Sequence, residues 1–100
     1  MSNSKLTAEQ KAFLKGLKKR NPKTVLFTNG AGVTVAIRRT GRSMAEFSVA
    51  IASLDEQKFR RKVGELYALG RMLDGIVLPV RAPEFIPLEV IAEELAGSIS

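Results

Sequence analysis

The chain contains no cysteine and no histidine among its 100 residues. Without cysteine there is no disulfide framework and no thiolate zinc site, a composition that suits a reducing compartment such as the cytoplasm. Without histidine, the usual general base near neutral pH and the commonest metal ligand are both missing. Carboxylates are scarce, ten Asp and Glu against sixteen Lys and Arg, and none stands at a spacing that implies a catalytic pair. Ser43 has no histidine to activate it, and there is no Walker loop. The expectation is a protein that is not an enzyme and takes no cofactor and no metal. Long apolar runs are missing too. No stretch approaches the ~18 residues that span a bilayer, and the polar residues 1–5 lack the apolar segment of a secretory signal. No membrane is expected among its partners.

What is present is an ordinary globular composition with an uneven charge. Apolar residues make up 45% of the chain, which argues against wholesale disorder. The length predicts a single domain over residues 1–100: a flexible start at 1–5, a core over 6–80 and a short C-terminal helix over 84–97. The formal net charge is +6. Residues 1–23 carry seven Lys/Arg and one Glu, whereas residues 76–100 carry one Arg and four Glu. A basic head and an acidic tail suggest an anionic partner for the head, or head-to-tail pairing within or between chains.

Local signals predict the order helix, three strands, helix, short strand, short helix. Thr7-Ala8-Glu9-Gln10 reads as a capping box, with a helix to about Arg20 ended by Asn21-Pro22. Leu6, Phe13, Leu14 and Leu17 share its apolar side, and Lys11, Lys15, Lys18 and Lys19 the opposite one. A strand over 24–28 and another over 33–38 flank Asn29-Gly30, a hairpin signal. After a turn at 40–43, alternation resumes over 46–52. Val33, Val35, Ile37, Phe47, Val49 and Ile51 fall on one side of the sheet, and the small residues Thr34, Ala36, Ser48, Ala50 and Ala52 on the other. A second capping box at residues 53–56 opens a long helix to about Leu73, with Gly75 as its stop. Its arc of Phe59, Val63, Leu66, Leu69, Gly70 and Leu73 is expected to cover the side bearing the large residues. Residues 76–80 read as a fourth strand, placed at an edge by Pro79. Pro87 starts a helix over 88–96 that stops at Gly97. The predicted fold class is α+β, a three- to four-stranded antiparallel sheet packed by a long helix.

Three groups of cations and one aromatic are candidate contacts to an anion. Lys11, Lys15, Lys18 and Lys19 line one side of the first helix, where phosphates spaced along a nucleic-acid backbone could meet several of them and release counterions. The alternative is a solvated face whose last lysines complement the helix dipole. Arg38, Arg39 and Arg42 extend the positive field at the second turn. On the long helix Arg60, Gly64, Tyr67 and Arg71 form a stripe, two guanidiniums bracketing a ring and a glycine that permits close approach. Against this stands Tyr67 at the core edge with the arginines paired to Glu56 or Glu65. Gly70 is expected to allow close packing on the sheet. The small-residue side is either covered by the first or last helix or is a homodimer face. The acidic last helix either docks on the domain or folds back on the lysines.

The order of elements over residues 7–74 resembles the double-stranded RNA-binding domain, a likeness of topology. In that family basic residues near the start of the second helix meet phosphates, and Lys58, Arg60, Arg61 and Lys62 stand near that position here. The family's Gly-Pro-x-His turn is replaced by Asn29-Gly30-Ala31-Gly32. The stretch from Phe47 to Leu78 also resembles small bacteriophage accessory proteins, through Phe59, Arg61, Lys62, Gly64, Ala68 and Arg71. That likeness implies a phage product acting in the host cytoplasm on nucleic acid or on a host protein. The leading expectation is a small basic nucleic-acid-binding protein. The rival is a protein-binding module, such as a phage inhibitor of a host protein, using the long helix or an open sheet face.

Overall fold

The computed structural model describes residues 7–51 and 61–99. Its elements run α1 (Ala8–Arg20), β1 (Val25–Thr28), β2 (Val33–Arg39), β3 (Met44–Ile51), α2 (Arg61–Leu73), β4 (Leu78–Arg81) and α3 (Leu88–Ile99). The predicted capping box at 53–56, and Lys5, Leu6, Ala52, Lys58, Phe59 and Arg60, lie outside the described residues. The fold is α+β, and the four strands form one antiparallel sheet in the order β1-β2-β3-β4.

Local chemistry accounts for the element ends. The Thr7 hydroxyl accepts the Gln10 N–H at 3.1 Å, and the Gln10 side-chain oxygen accepts the Thr7 N–H at 2.9 Å. This reciprocal cap is worth about 1 kcal/mol. Asn21 ends α1, its backbone and side-chain amides both donating to the Leu17 carbonyl. At the β1–β2 hairpin the left-handed residue is Gly32, with φ 84°. The Asn29 side-chain oxygen accepts the N–H groups of Ala31 and Val33, so Asn29 organises a three-residue loop closed by glycine. Gly75 ends α2 at φ 80°. It donates to the Met72 carbonyl while Ile76 donates to that of Arg71, the paired bonds of a Schellman motif. Gly97, expected as a stop, lies within α3, which continues to Ile99.

Both faces of β1 and β2 carry a helix, and the coverage reverses the expectation. Val33, Val35, Ile37 and Phe47 pack not under α2 but under α3, against Leu88, Ile91, Ala92 and Ala96. The small-residue side takes α2, where Ala36 and Ala50 meet Ala68 and Met72. Small side chains on both surfaces let the helix lie close, and the Ser48 hydroxyl donates to the Ala68 carbonyl at 2.5 Å. Among the described residues no helix packs on β4, where Leu78 stays exposed. The arc predicted for α2 is also split. Leu66 and Leu69 turn away from the sheet to meet Leu14 and Leu17 of α1, and Leu73 is exposed. An α2 flanked by the sheet on one side and α1 on the other needs two apolar stripes. Gly70 is not a close-packing device, because a Cβ built on it meets nothing within 4 Å. Phe13, predicted on the apolar side of α1, is 56% exposed.

β4 closes the sheet beside the first half of β3, pairing Met44 with Arg81 and Phe47 with Leu78. Pro79 sits on this edge strand, where its missing N–H costs no ladder bond. Among the described residues no helix is long and apolar enough to cross a membrane.

Candidate nucleic-acid interface

The cations nominated from the sequence meet different fates. On α1, Leu14 and Leu17 are buried against α2. At about 100° per residue, Lys18 lies only ~40° from Leu14, so it borders the helix–helix contact instead of opposing it. Its ammonium pairs with Glu65 of α2 at 2.6 Å. Glu65 is 8% exposed, and a carboxylate that far from water needs a cation beside it. Lys18 therefore serves the α1–α2 contact. Lys11, Lys15 and Lys19 follow one another at intervals of four along the outer flank, all exposed. Among the described residues no carboxylate pairs with any of the three.

At the β2–β3 turn the three arginines also diverge. Arg38 stands opposite Glu46 in the β2–β3 register and pairs with it, Nε to Oε1, at 2.5 Å. Arg39 donates to three backbone carbonyls, those of Ala82 at 2.6 Å, Pro83 at 3.2 Å and Ile86 at 2.7 Å. Its guanidinium thus holds the turn between β4 and α3 against the end of β2. Carbonyls accept its protons but do not cancel its charge. Arg42 is exposed on the turn and unpaired among the described residues.

Tyr67 and Arg71 lie on the flank of α2 away from α1, well over 90° around the helix from the mean direction of Leu66 and Leu69. Tyr67 is 61% exposed, whereas Arg71 donates to the Val49 carbonyl, where β4 no longer pairs with β3. Gly64 is buried and offers no open docking notch. This pair is therefore not continuous with the α1 lysines. Arg60 lies outside the described residues.

Two further cations, Arg20 and Lys23, which belong to none of the candidate groups above, come together here with Arg38 and Arg39. The end of α1 and the residues leading into β1 border the end of β2, because Val25 pairs with Ile37. Between them lies an open groove of about 490 Å3, lined by Arg20, Asn21, Pro22, Lys23, Thr24, Arg38, Arg39 and Leu88. Arg20 and Lys23 have no carboxylate partner among the described residues. No local motif marks this groove, since its walls come from three separated segments. No protein-family model, curated protein or solved structure matches this chain. No group of three or more His, Cys, Asp or Glu that could hold a metal occurs among the described residues.

The positive surface is therefore a track. It runs down the flank of α1 through Lys11, Lys15 and Lys19, and ends at Arg20, Lys23 and Arg39 around the groove. Among the described residues no acidic side chain of α3 pairs with a lysine or arginine of this track.

Proposed function

We propose that this chain is a small basic nucleic-acid-binding protein, consistent with a phage accessory role, that grips the sugar–phosphate backbone along the α1 track. The observation that carries this reading is the run of Lys11, Lys15 and Lys19, exposed and unpaired among the described residues. Four residues of helix advance about 6 Å, so the three ammoniums present an evenly spaced row to a polyanion. Arg20 and Lys23 continue the row past the helix end. Neutralising several phosphates releases counterions, so affinity falls by orders of magnitude between about 50 and 200 mM salt. The test is a filter-binding salt titration with single- and double-stranded DNA and RNA. A steep linear decrease of log affinity with log salt supports the reading, and absence of binding at low salt ends it.

A second reading, a protein-binding module such as a phage inhibitor of a host protein, is favoured by a different surface. Leu78, at the start of the edge strand β4, and Ile76 just before it are each 62% exposed, and Tyr67 stands exposed on α2. An interface built on these apolar groups would change little with salt.

A further inference from the structure

We infer that the groove at the foot of α1 is a distinct subsite for the phosphodiester of a single-stranded nucleic acid. This rests on the nucleic-acid reading and deepens it. Three features of the groove carry the inference.

The first is fixed charge. Arg39 is anchored by three carbonyls, so its guanidinium loses little rotamer freedom when an anion arrives. A guanidinium has five N–H donors, which leaves donors beyond those three bonds. Arg38, also in the lining but pointing to the other face of β2, is already compensated by Glu46, so the uncompensated charge concentrates on Arg39, Arg20 and Lys23. The last two come from the segment that ends α1 and leads into β1, and are exposed. A phosphate in the groove would meet cations contributed by two separate segments.

The second is size. About 490 Å3 falls in the range of small-ligand sites, ~300–1,000 Å3. A phosphate with its sugar fits that space. A lone strand can bend its backbone into the groove. A duplex holds each backbone against its base pairs and can touch only the rim.

The third is the lining. Pro22 and Leu88 supply the apolar contribution, and no aromatic ring of the described residues lines the groove. Base stacking on aromatic rings, a usual source of affinity for single strands, is missing from the subsite. Recognition is therefore through phosphate and sugar, and it tolerates any base sequence.

The experiment compares two double variants that remove the same charge from different places. Arg20→Ala/Lys23→Ala empties the groove wall, and Lys11→Ala/Lys15→Ala thins the helix flank. Each is titrated by fluorescence anisotropy against a labelled single-stranded oligonucleotide, as DNA and as RNA, and against a duplex of the same length. Thermal melts verify that both variants remain folded. The groove variant should lose about tenfold or more in single-strand affinity at 0.1 M salt, with the salt slope reduced by about 1.4. Its duplex affinity should change no more than that of the flank variant. Equal losses for the two variants on single strands, or an unmodified protein that prefers duplex, would overturn the subsite and leave the wider function standing. If no nucleic acid binds at low salt, the wider function falls and the subsite falls with it.

Discussion

Arg39 shows how one side chain can present charge to a ligand and also act as a structural tie. Its bonds to the carbonyls of Ala82, Pro83 and Ile86 satisfy backbone acceptors of a turn that would otherwise have to reach water. Hydrogen bonds from charged donors contribute about 1.5–3 kcal/mol. Replacing Arg39 by alanine is therefore expected to lower unfolding free energy by about 2–3 kcal/mol in urea titrations. Arg42→Ala, on the exposed turn three residues later, should stay within about 0.5 kcal/mol. Equal effects would show that the tie does not matter in solution. A similar contrast applies on α1. Lys18→Ala strips the cation from Glu65, which is 8% exposed, and should cost about 1–2 kcal/mol after allowing for the partly exposed ammonium. Lys15→Ala should cost only a few tenths. The Glu65→Gln change made with Lys18→Ala should recover part of the loss, because no buried charge is then left alone.

At the scale of the element, the helices differ in how they meet the sheet. α2 lies on alanine and serine, and its Ala68 is fully buried against them. Enlarging Ala68 to leucine should cost about 1–3 kcal/mol by overpacking. α3 lies on valine, isoleucine and phenylalanine, and there the damaging change is a cavity. Ile91→Ala should cost about 2–4 kcal/mol. Gly70 within α2 and Gly75 just past its end give a second contrast. Gly70 has open space where a Cβ would go and no positive φ, so Gly70→Ala should raise stability by about 0.5–1 kcal/mol. Gly75 is held at φ 80°, and Gly75→Ala should lower it by about 1 kcal/mol, since L-residues resist the left-handed region. Thermal melts of the two variants in parallel decide the matter: melting points that shift in the same direction contradict it.

For the molecule as a whole, the consequence lies in the C-terminal helix. Its acidic residues invite the idea of a flap that folds back on the lysines. The structure instead gives α3 half of the core, over Val33, Val35 and Ile37. Removing residues 84–100 is therefore expected to abolish the cooperative melt, not to release tighter nucleic-acid binding. A truncated protein that melts cooperatively and binds more tightly would show that the helix is a regulator after all.

Much of this architecture is legible in local sequence. The Thr7–Gln10 box, Asn21-Pro22, Asn29-Gly30, Gly75 and the alternation over residues 33–38 each act within a few residues, and the elements begin and end close to where those signals place them. Alternation also sorts the two sides of the sheet over residues 33–50, whereas Ile51, expected inward, is 62% exposed at the end of β3. The pattern cannot say which helix covers which side, because each side is apolar enough to be buried and the choice depends on matched volumes of segments far apart in the chain. The same limit governs the cations. Lysine spacing marks a basic flank on α1, but Lys18 meets Glu65 only once two helices pack, and Arg39 meets Ala82 across 43 residues. The chain alone determines where its charges lie along each element. Which charges stay free for a ligand is decided by tertiary packing, because an ion pair or a carbonyl tie forms only when distant backbone is brought within hydrogen-bonding reach.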